Sequence, residues 1–236
     1  MRYLPYIFFI LFSFNVSDLK GNIPKKFQSY TSSEGLSNNY IRCINQDMFG
    51  YIWIGTRYGL NRYDGYDFKT YLNIPQDSTS LSNNSINDIL PQDSVVWIAT
   101  NKGLSYYDYR TEKFNRVEMN HAVQDIKFNA LYLDQDNSIC VTSEQGAFRQ
   151  TNKSENFERI DLGPHKNKSI FRLYVQTRDK FWYSINDSLF FYDKTNKITK
   201  KFIHDPDVSA TISGFIIYDI FEFKNDIYIA TGGGGL

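Results

Sequence analysis

Three histidines are the first residues in this sequence that could do chemistry. His121, His165 and His204 are 44 and 39 residues apart (165 − 121 and 204 − 165). In a protein of repeated units, such spacing could place three imidazoles around one rim, where they would bind a metal or serve a lyase. The residues that flank each histidine share no register, so we interpret all three as histidines of surface loops. We therefore predict no metal site and no cofactor.

Two groups of aspartates offer a second kind of chemistry. Asp88 and Asp219 lie at equivalent places in the repeat described below and could line a central channel as an acid pair, although nothing in the sequence fixes the separation that a glycosidase needs. Asp47, Asp93 and Asp134 precede turns, but their surroundings lack the run of oxygen ligands of a calcium loop. We interpret these three as turn caps and assign no catalytic residue.

The composition indicates a folded domain with no net charge. The 26 Lys and Arg residues balance 26 Asp and Glu residues, so no bulk positive charge is available to hold nucleic acid. Hydrophobic residues make up 42% of the 236 residues, which is enough for a sizeable core. Cys43 and Cys140 are too far apart for a C-x-x-C motif. An exported chain could pair them, but we expect two buried free thiols.

The first 22 residues are predicted to be a signal peptide. Met1 and Arg2 precede an apolar run over residues 3–16, which is shorter than the roughly 20 residues of a membrane-spanning helix. Residues 13–21 offer small side chains but no clean A-x-A cleavage site, so an uncleaved anchor is the alternative. Both interpretations predict export, to the periplasm or beyond. We expect the mature chain to begin between residues 17 and 23.

An internal repeat organises the rest of the chain. The sequence Leu-Ser-Asn-Asn occurs at residues 36–39 and again at 81–84, 45 residues later (81 − 36). A strand-like apolar signature recurs five times, centred on residues 53, 97, 140, 182 and 228, so successive centres are 44, 43, 42 and 46 residues apart. This period is typical of four-stranded propeller blades.

Each unit shows the pattern of four short strands joined by turns. In the first unit we predict strands at 41–45, 51–56, 60–63 and 68–72. The second strand of each unit is apolar at consecutive positions, which indicates cover on both faces. The tryptophans on these strands could stack on sugars, but we interpret them as core between sheets. The turn glycines lie six residues after the centre of the second strand in units one to three, and Ser188 takes this place in unit four. The predicted structural residues are Trp53, Trp97, Trp182, Gly59, Gly103 and Gly146.

The first unit resembles a known repeat. Its pattern is Asp47-x-x-Gly50-x-Ile52-Trp53-Ile54-Gly55-Thr56-x-x-Gly59-Leu60-x-x-Tyr63-Asp64, preceded by Leu36-Ser37-Asn38-Asn39. It is similar to the two-component regulator propeller repeat. The resemblance covers about residues 24–236 and implies the periplasmic sensor region of hybrid two-component systems. It therefore implies sensing and no catalysis.

The expected architecture is an all-β propeller of four-stranded antiparallel blades. We predict a partial propeller over residues 23–236, with repeat units at about 36–80, 81–120, 121–165, 166–210 and an incomplete unit at 211–236. This corresponds to about four complete blades plus a half blade, truncated from a larger propeller. Residues 27–30 resemble a fourth strand that would complete a final blade. We expect the open edge to meet the remaining blades or a second chain. The alternative is a deliberately short five-bladed protein that a partner chain closes.

The turns between the second and third strands are the predicted ligand site. In propellers such turns lie on one face with the connections between blades. An oligosaccharide would bind there without nucleic acid or cofactor, in a sensor fragment that carries no kinase or output domain. The alternatives are a secreted propeller lyase or hydrolase acting on glycans, and a protein-interaction scaffold. The candidate residues are Arg57, Tyr58, Asn101, Lys102, Glu144 and Gln145, with Asn186 and Asp187 at the same turn of the fourth unit.

Overall fold

The structure, a computed structural model, describes residues 28–119, 126–151, 156–208 and 211–233. Within these ranges the strands form four four-stranded antiparallel sheets and one two-stranded sheet. The predicted all-β propeller with four complete blades and a half blade is confirmed. Among the described residues, no helix is both long and apolar enough to cross a bilayer. The predicted signal peptide, residues 1–22, lies outside the described residues.

Each blade is a meander of consecutive strands, called A to D from the channel outward. The A strands of neighbouring blades contact one another, as β1 does with β5 and β5 with β9. Blade one contains β1 (Ile41–Gln46), β2 (Ile52–Thr56), β3 (Gly59–Tyr63) and β4 (Phe68–Tyr71). Blade two contains β5 (Ile86–Gln92), β6 (Val95–Thr100), β7 (Leu104–Asp108) and β8 (Lys113–Arg116).

The remaining blades follow the same order. Blade three contains β9 (Phe128–Leu133), β10 (Ile139–Ser143), β11 (Gly146–Gln150) and β12 (Phe157–Arg159). Blade four contains β13 (Leu173–Thr177), β14 (Lys180–Ile185), β15 (Ser188–Asp193) and β16 (Ile198–Phe202). The described part of blade five contains β17 (Ile217–Phe223) and β18 (Asp226–Thr231).

Buried apolar clusters lie between the blades. One cluster joins Trp53 of blade one to Val96 and Ile98 of blade two, and others fill the next three interfaces. Trp97 is 4% exposed between blades two and three, whereas Trp182, between blades four and five, is only partly buried. Consecutive apolar residues on strand B follow from this packing, because both faces of a blade meet a neighbour.

The turns between strands B and C are tight and regular. Gly59, Gly103 and Gly146 have φ values of 119°, 97° and 119°. A Cβ atom at Gly146 would lie 2.3 Å from the carbonyl oxygen of Lys166, so glycine is required there both for its backbone angle and for space. Blade four makes this turn with Asn186, at φ 48°.

The two Leu-Ser-Asn-Asn segments, at 36–39 and 81–84, fasten blades one and two to the connections that precede them. Ser37 Oγ lies 3.1 Å from Thr56 Oγ1, and Ser82 Oγ lies 3.0 Å from Thr100 Oγ1 one repeat later. The leucine that precedes each serine is buried. The same contact therefore recurs one repeat apart in blades one and two.

The turn aspartates divide into caps and one exception. Asp47 Oδ1 accepts the amides of Phe49 and Tyr51 at 2.9 and 3.0 Å, and Asp134 caps the corresponding turn of blade three. Asp93 lies instead in a two-residue turn at φ 50°. The interpretation of Asp93 as a cap of the same kind is wrong, because residues 93 and 94 alone separate β5 from β6, whereas residues 47–51 separate β1 from β2.

The chain before blade one does not form the expected outer strand. Residues 28–30 have no strand structure, and Phe27 lies outside the described residues. Tyr30 packs on blade one instead, with its hydroxyl 2.9 Å from that of Tyr63 and its ring 5.5 Å from that of Phe68. The contacts of Tyr30 therefore belong to blade one. Cys43 and Cys140 are both free.

Candidate functional site

The B-to-C turns and the starts of the A strands surround one end of the channel, which we call the mouth face. The first residue of each turn is tied to the adjacent A strand. Arg57 donates its amide to the Tyr40 carbonyl and Asn101 to the Ser85 carbonyl, both at 3.0 Å. Glu144 repeats this bond to Lys127 at 3.1 Å. The turns are thereby anchored to the channel wall.

The second residue of each turn is held by the end of strand B. Tyr58 and Lys102 each donate their amide, at 3.1 Å, to the threonine hydroxyl two residues earlier, and Gln145 does so to Ser143 at 3.0 Å. These bonds use backbone atoms and leave the side chains of the predicted residues at the surface. Tyr58, Glu144 and Gln145 are exposed.

Polar side chains of the A strands form a ring below these turns. Each reaches a backbone carbonyl of the next blade: Asn87 Nδ2 to Phe128 O at 2.7 Å, Asn129 Nδ2 to Ile170 O at 2.7 Å, and Arg172 Nε to Tyr218 O at 2.5 Å. Arg42 of blade one donates to Ser85 Oγ at 3.2 Å and to the Asn87 side chain. The ring fixes how adjacent blades meet at the mouth.

The ring connects directly to one of the predicted turns. Asn87 Nδ2 donates to Asn101 Oδ1 at 3.0 Å, and Asn101 Nδ2 donates to Ser85 Oγ at 3.0 Å. Sequence reasoning missed Arg42 and Asn87. Both residues lie at a β-bulge, where the pairing of β1 with β2 and of β5 with β6 shifts register. A polar residue at the same position of two repeats is the sequence feature that could have identified them.

Exposed aromatic rings lie at the same end of blades one, four and five. Five project from the mouth face or its border: Tyr40, Tyr58, Phe171, Phe215 and Tyr218. The Arg57 guanidinium lies 5.9 Å from the centroid of the Tyr40 ring. The mouth face therefore combines flat apolar rings with amide and guanidinium groups, a set that can contact both the C–H surfaces and the hydroxyls of a polar ligand.

The channel aspartates are engaged in backbone bonds. Asp88 accepts the amides of Ile89 and of Leu131 in the next blade, both at 2.9 Å, and Asp219 accepts the amide of Ile220 at 2.9 Å. Burial raises the pKa of Asp88 to about 6. Asp88 thus links blades two and three. Asp219 holds the equivalent position in blade five, after which the described residues contain no further blade.

The histidines do not meet around a rim in the described structure. His165 Nδ1 lies 2.8 Å from the Tyr183 hydroxyl, and burial lowers the pKa of its imidazole. His204 Nδ1 lies 2.7 Å from the Ile212 carbonyl. His121 lies outside the described residues. Within the described ranges, no group of three His, Cys, Asp or Glu side chains is arranged to hold a metal ion.

Comparison with known proteins finds similarity to a family in the first blade and to one curated relative. The model of the two-component regulator propeller matches residues 35–58. Histidine kinase P4 of Formosa agariphila is 47% identical over 83 residues, which are 35% of this chain and 6% of that protein. The chain therefore spans a small part of the curated relative that it matches.

Solved structures share the fold over most of the chain. The extracellular domain of a hybrid two-component system from B. thetaiotaomicron matches with a TM-score of 0.74 and 25% identity, over 88% of this chain and 29% of that one. Virginiamycin B lyase from Staphylococcus aureus matches with a TM-score of 0.59 and 13% identity, over 85% of this chain and 66% of that one, which shows a shared fold alone. The chain is a β-propeller, and its residues 35–58 match the two-component regulator propeller.

Proposed function

We propose that this propeller is the ligand-sensing part of the extracellular or periplasmic region of a two-component regulator, and that its ligand is an oligosaccharide. The observation that carries the proposal is the group of exposed aromatic rings beside amide and guanidinium groups on the mouth face. The similarity to an extracellular domain of a hybrid two-component system supports the sensor role.

The mouth face suits a saccharide for a chemical reason. A pyranose presents one apolar C–H surface and an edge of hydroxyls, each of which can both donate and accept a hydrogen bond. Tyr40 and Tyr58 offer ring faces to the first, and Arg57 and Asn101 offer donors and acceptors to the second. The anchored turns hold these groups before a ligand arrives, which lowers the entropy cost of binding.

Export is part of the proposal. The apolar run over residues 3–16 supports a signal peptide or an anchor. Mass spectrometry of the protein recovered from the periplasm tests this. We expect an N-terminus between residues 17 and 23, whereas a chain that retains Met1 would replace the signal peptide with the anchor.

The outer faces of blades one and five are not covered by any described residues of this chain. Ile44 on blade one and Phe223 on blade five are 60% and 55% exposed, although the equivalent faces of inner blades are covered. We propose that further blades of the same repeat cover them, or a second chain. Size-exclusion chromatography with light scattering distinguishes the two, because only the second gives an assembly of several chains.

Alanine substitutions on the mouth face test ligand binding. We expect Arg57→Ala and Tyr58→Ala to weaken oligosaccharide binding by at least about tenfold, or 1.4 kcal/mol, without lowering the melting temperature. The matched controls are Arg110→Ala and Tyr66→Ala, because both residues are exposed at C-to-D turns on the opposite face. Calorimetry with separate oligosaccharide series measures the affinities. Equal affinities in the mouth-face and control variants would show that this face is not the site.

A further inference from the structure

A groove between blades three and four opens on the face opposite the mouth face. Its cavity volume is about 690 Å³, within the range of about 300–1,000 Å³ of pockets that bind small molecules. Its walls come from the A-to-B turns and the ends of strand C in both blades and from residues 158–161 of blade three. Ile160, Val175 and Phe181 contribute apolar surface. The groove is therefore a concavity that two blades build together.

A chain of ionic bonds crosses the groove. The buried Asp134 accepts the amides of Asp136 and Ser138 at 2.9 Å each, and also a bond from Arg149 Nε. Arg149 donates in turn to Asp136 at 2.8 Å, and Arg178 of blade four donates to Asp136 at 3.1 Å. Hydrogen bonds from Arg178 and Arg149 hold the pKa of Asp136 below its ordinary value. Asp136 therefore stays ionised and links the two blades.

Acidic and basic side chains are equal in number around the groove. A cavity lined in this way has no net charge, so it favours neither a polyanion nor a polycation. Carboxylates accept hydrogen bonds from hydroxyls and guanidinium groups donate to them, so neighbouring opposite charges can satisfy adjacent hydroxyls of a sugar. The four acidic residues are Asp134, Asp136, Glu158 and Asp161, and the four basic residues are Arg149, Arg159, Arg178 and Lys194.

We propose that this groove binds a neutral, hydroxyl-rich ligand, a short oligosaccharide segment, at a second site separate from the mouth face. The proposal rests on the proposed function for the class of ligand. Arg178 is the side chain best placed to bind it, because it is 80% exposed and gives Asp136 a bond from one of its nitrogens. Asp136 orients that guanidinium from the opposite wall.

Calorimetry on the full chain tests the groove. The probes are neutral gluco-, manno- and xylo-oligosaccharides, each titrated separately, with uronate-bearing and sulfated oligosaccharides as a second arm. We expect Arg178→Ala to weaken binding of a neutral probe at least about tenfold and Asp136→Asn to weaken it less, because the amide keeps one acceptor oxygen. Lys200→Ala is the matched control, since Lys200 is an exposed cation of the same blade outside the groove. Circular dichroism melts establish that each variant is folded.

The possible outcomes separate this proposal from the proposed function. Neutral-probe binding that survives Arg57→Ala and Tyr58→Ala but is lost in Arg178→Ala supports the groove as a site of its own. Binding that is lost in the mouth-face variants and unchanged in Arg178→Ala overturns the groove site and leaves the proposed function standing. Groove binding of the anionic probes alone overturns the neutral class. The absence of binding to every oligosaccharide overturns both proposals.

Discussion

Blades one and two carry an isoleucine at the same position of strand A, but it is exposed in blade one and buried in blade two. Ile44 pairs with Ile54 and Ile89 pairs with Ile98, one repeat apart. Ile89 is 2% exposed because it packs in the cluster between blades one and two, whereas Ile44 is 60% exposed on the far side of blade one. The strand sequence is alike, so burial in this fold depends on the neighbouring blade.

Blade five shows the same difference on strand B. The segment 227–230 of β18 is only partly buried, although the segment 96–99 of β6 has a similar sequence and is fully buried. On the uncovered face, Phe221 and Tyr228 stack on each other with ring centroids 5.3 Å apart. Blades one and five, which we call the edge blades, thus expose apolar faces that blades two to four bury.

The largest expected effect comes from removing an indole at a closed interface. We expect Trp97→Ala to lower the free energy of unfolding by about 3–5 kcal/mol, because the cavity lies between two blades that cannot collapse onto it. Trp182→Ala should cost less, about 1–3 kcal/mol, since Trp182 is partly solvated beside edge blade five. Urea unfolding of both variants measures the difference. Equal losses would show that the interface of blade five is as well packed as the inner ones.

The isoleucine pair gives a sharper comparison, because the substitution is identical at both sites. Ile89→Ala should lower the free energy of unfolding by about 2–5 kcal/mol. Ile44→Ala should change it by no more than about 0.5 kcal/mol, as at an exposed position. Thermal and urea unfolding of the two variants provide the measurement. A large loss for Ile44→Ala would mean that another blade or chain covers this face in solution.

The last comparison concerns the two channel aspartates. The pKa of Asp88 is raised to about 6 in the fold, above the value of about 3.9 for an unfolded aspartate. Between these values the folded state binds more protons than the unfolded state, so this group's contribution to stability is present near pH 4 and is lost as pH rises through about 6.

Replacing Asp88 should therefore change the pH profile. In Asp88→Asn the fall in stability that this group causes between about pH 4 and 6 should disappear, because the amide has no proton to lose there. The Arg172 and Asp219 charges face Asp88, so Asp219→Asn is the matched control and should keep most of the wild-type slope. Urea unfolding midpoints measured between about pH 4 and 6 for the wild type and both variants give these slopes. A slope unchanged in Asp88→Asn would show that another group titrates.

Much of the fold could be read from the repeat. The strands predicted for blade one agree with the observed bounds within one residue at each end, because apolar runs and turn residues are local features that five copies reinforce. The cap at Asp47 follows from its own turn in the same way. The prediction for Asp93 is wrong because the two-residue turn of blade two and the five-residue connection of blade one both begin with aspartate.

The candidate site was less accessible to sequence reasoning. The turn residues Arg57 and Tyr58 could be located, since turn position follows from strand order. Arg42 and Asn87 were missed, because their contacts cross to the next blade over more than 40 residues of chain. The charged groove was missed for the same reason, as Asp136 and Arg178 meet only when blades three and four are side by side.

The sequence by itself determined the period, the order of strands and the positions of the turns, because these depend on residues close together in the chain. Tertiary structure alone decided which equivalent residues are buried and which polar groups form the ring at the mouth face. It also causes the raised pKa of Asp88, through burial. Each of these depends on the distance to a neighbouring blade. Two copies of one pattern therefore differ as much as Ile44 and Ile89 do, because desolvation is supplied by the blade packed against them.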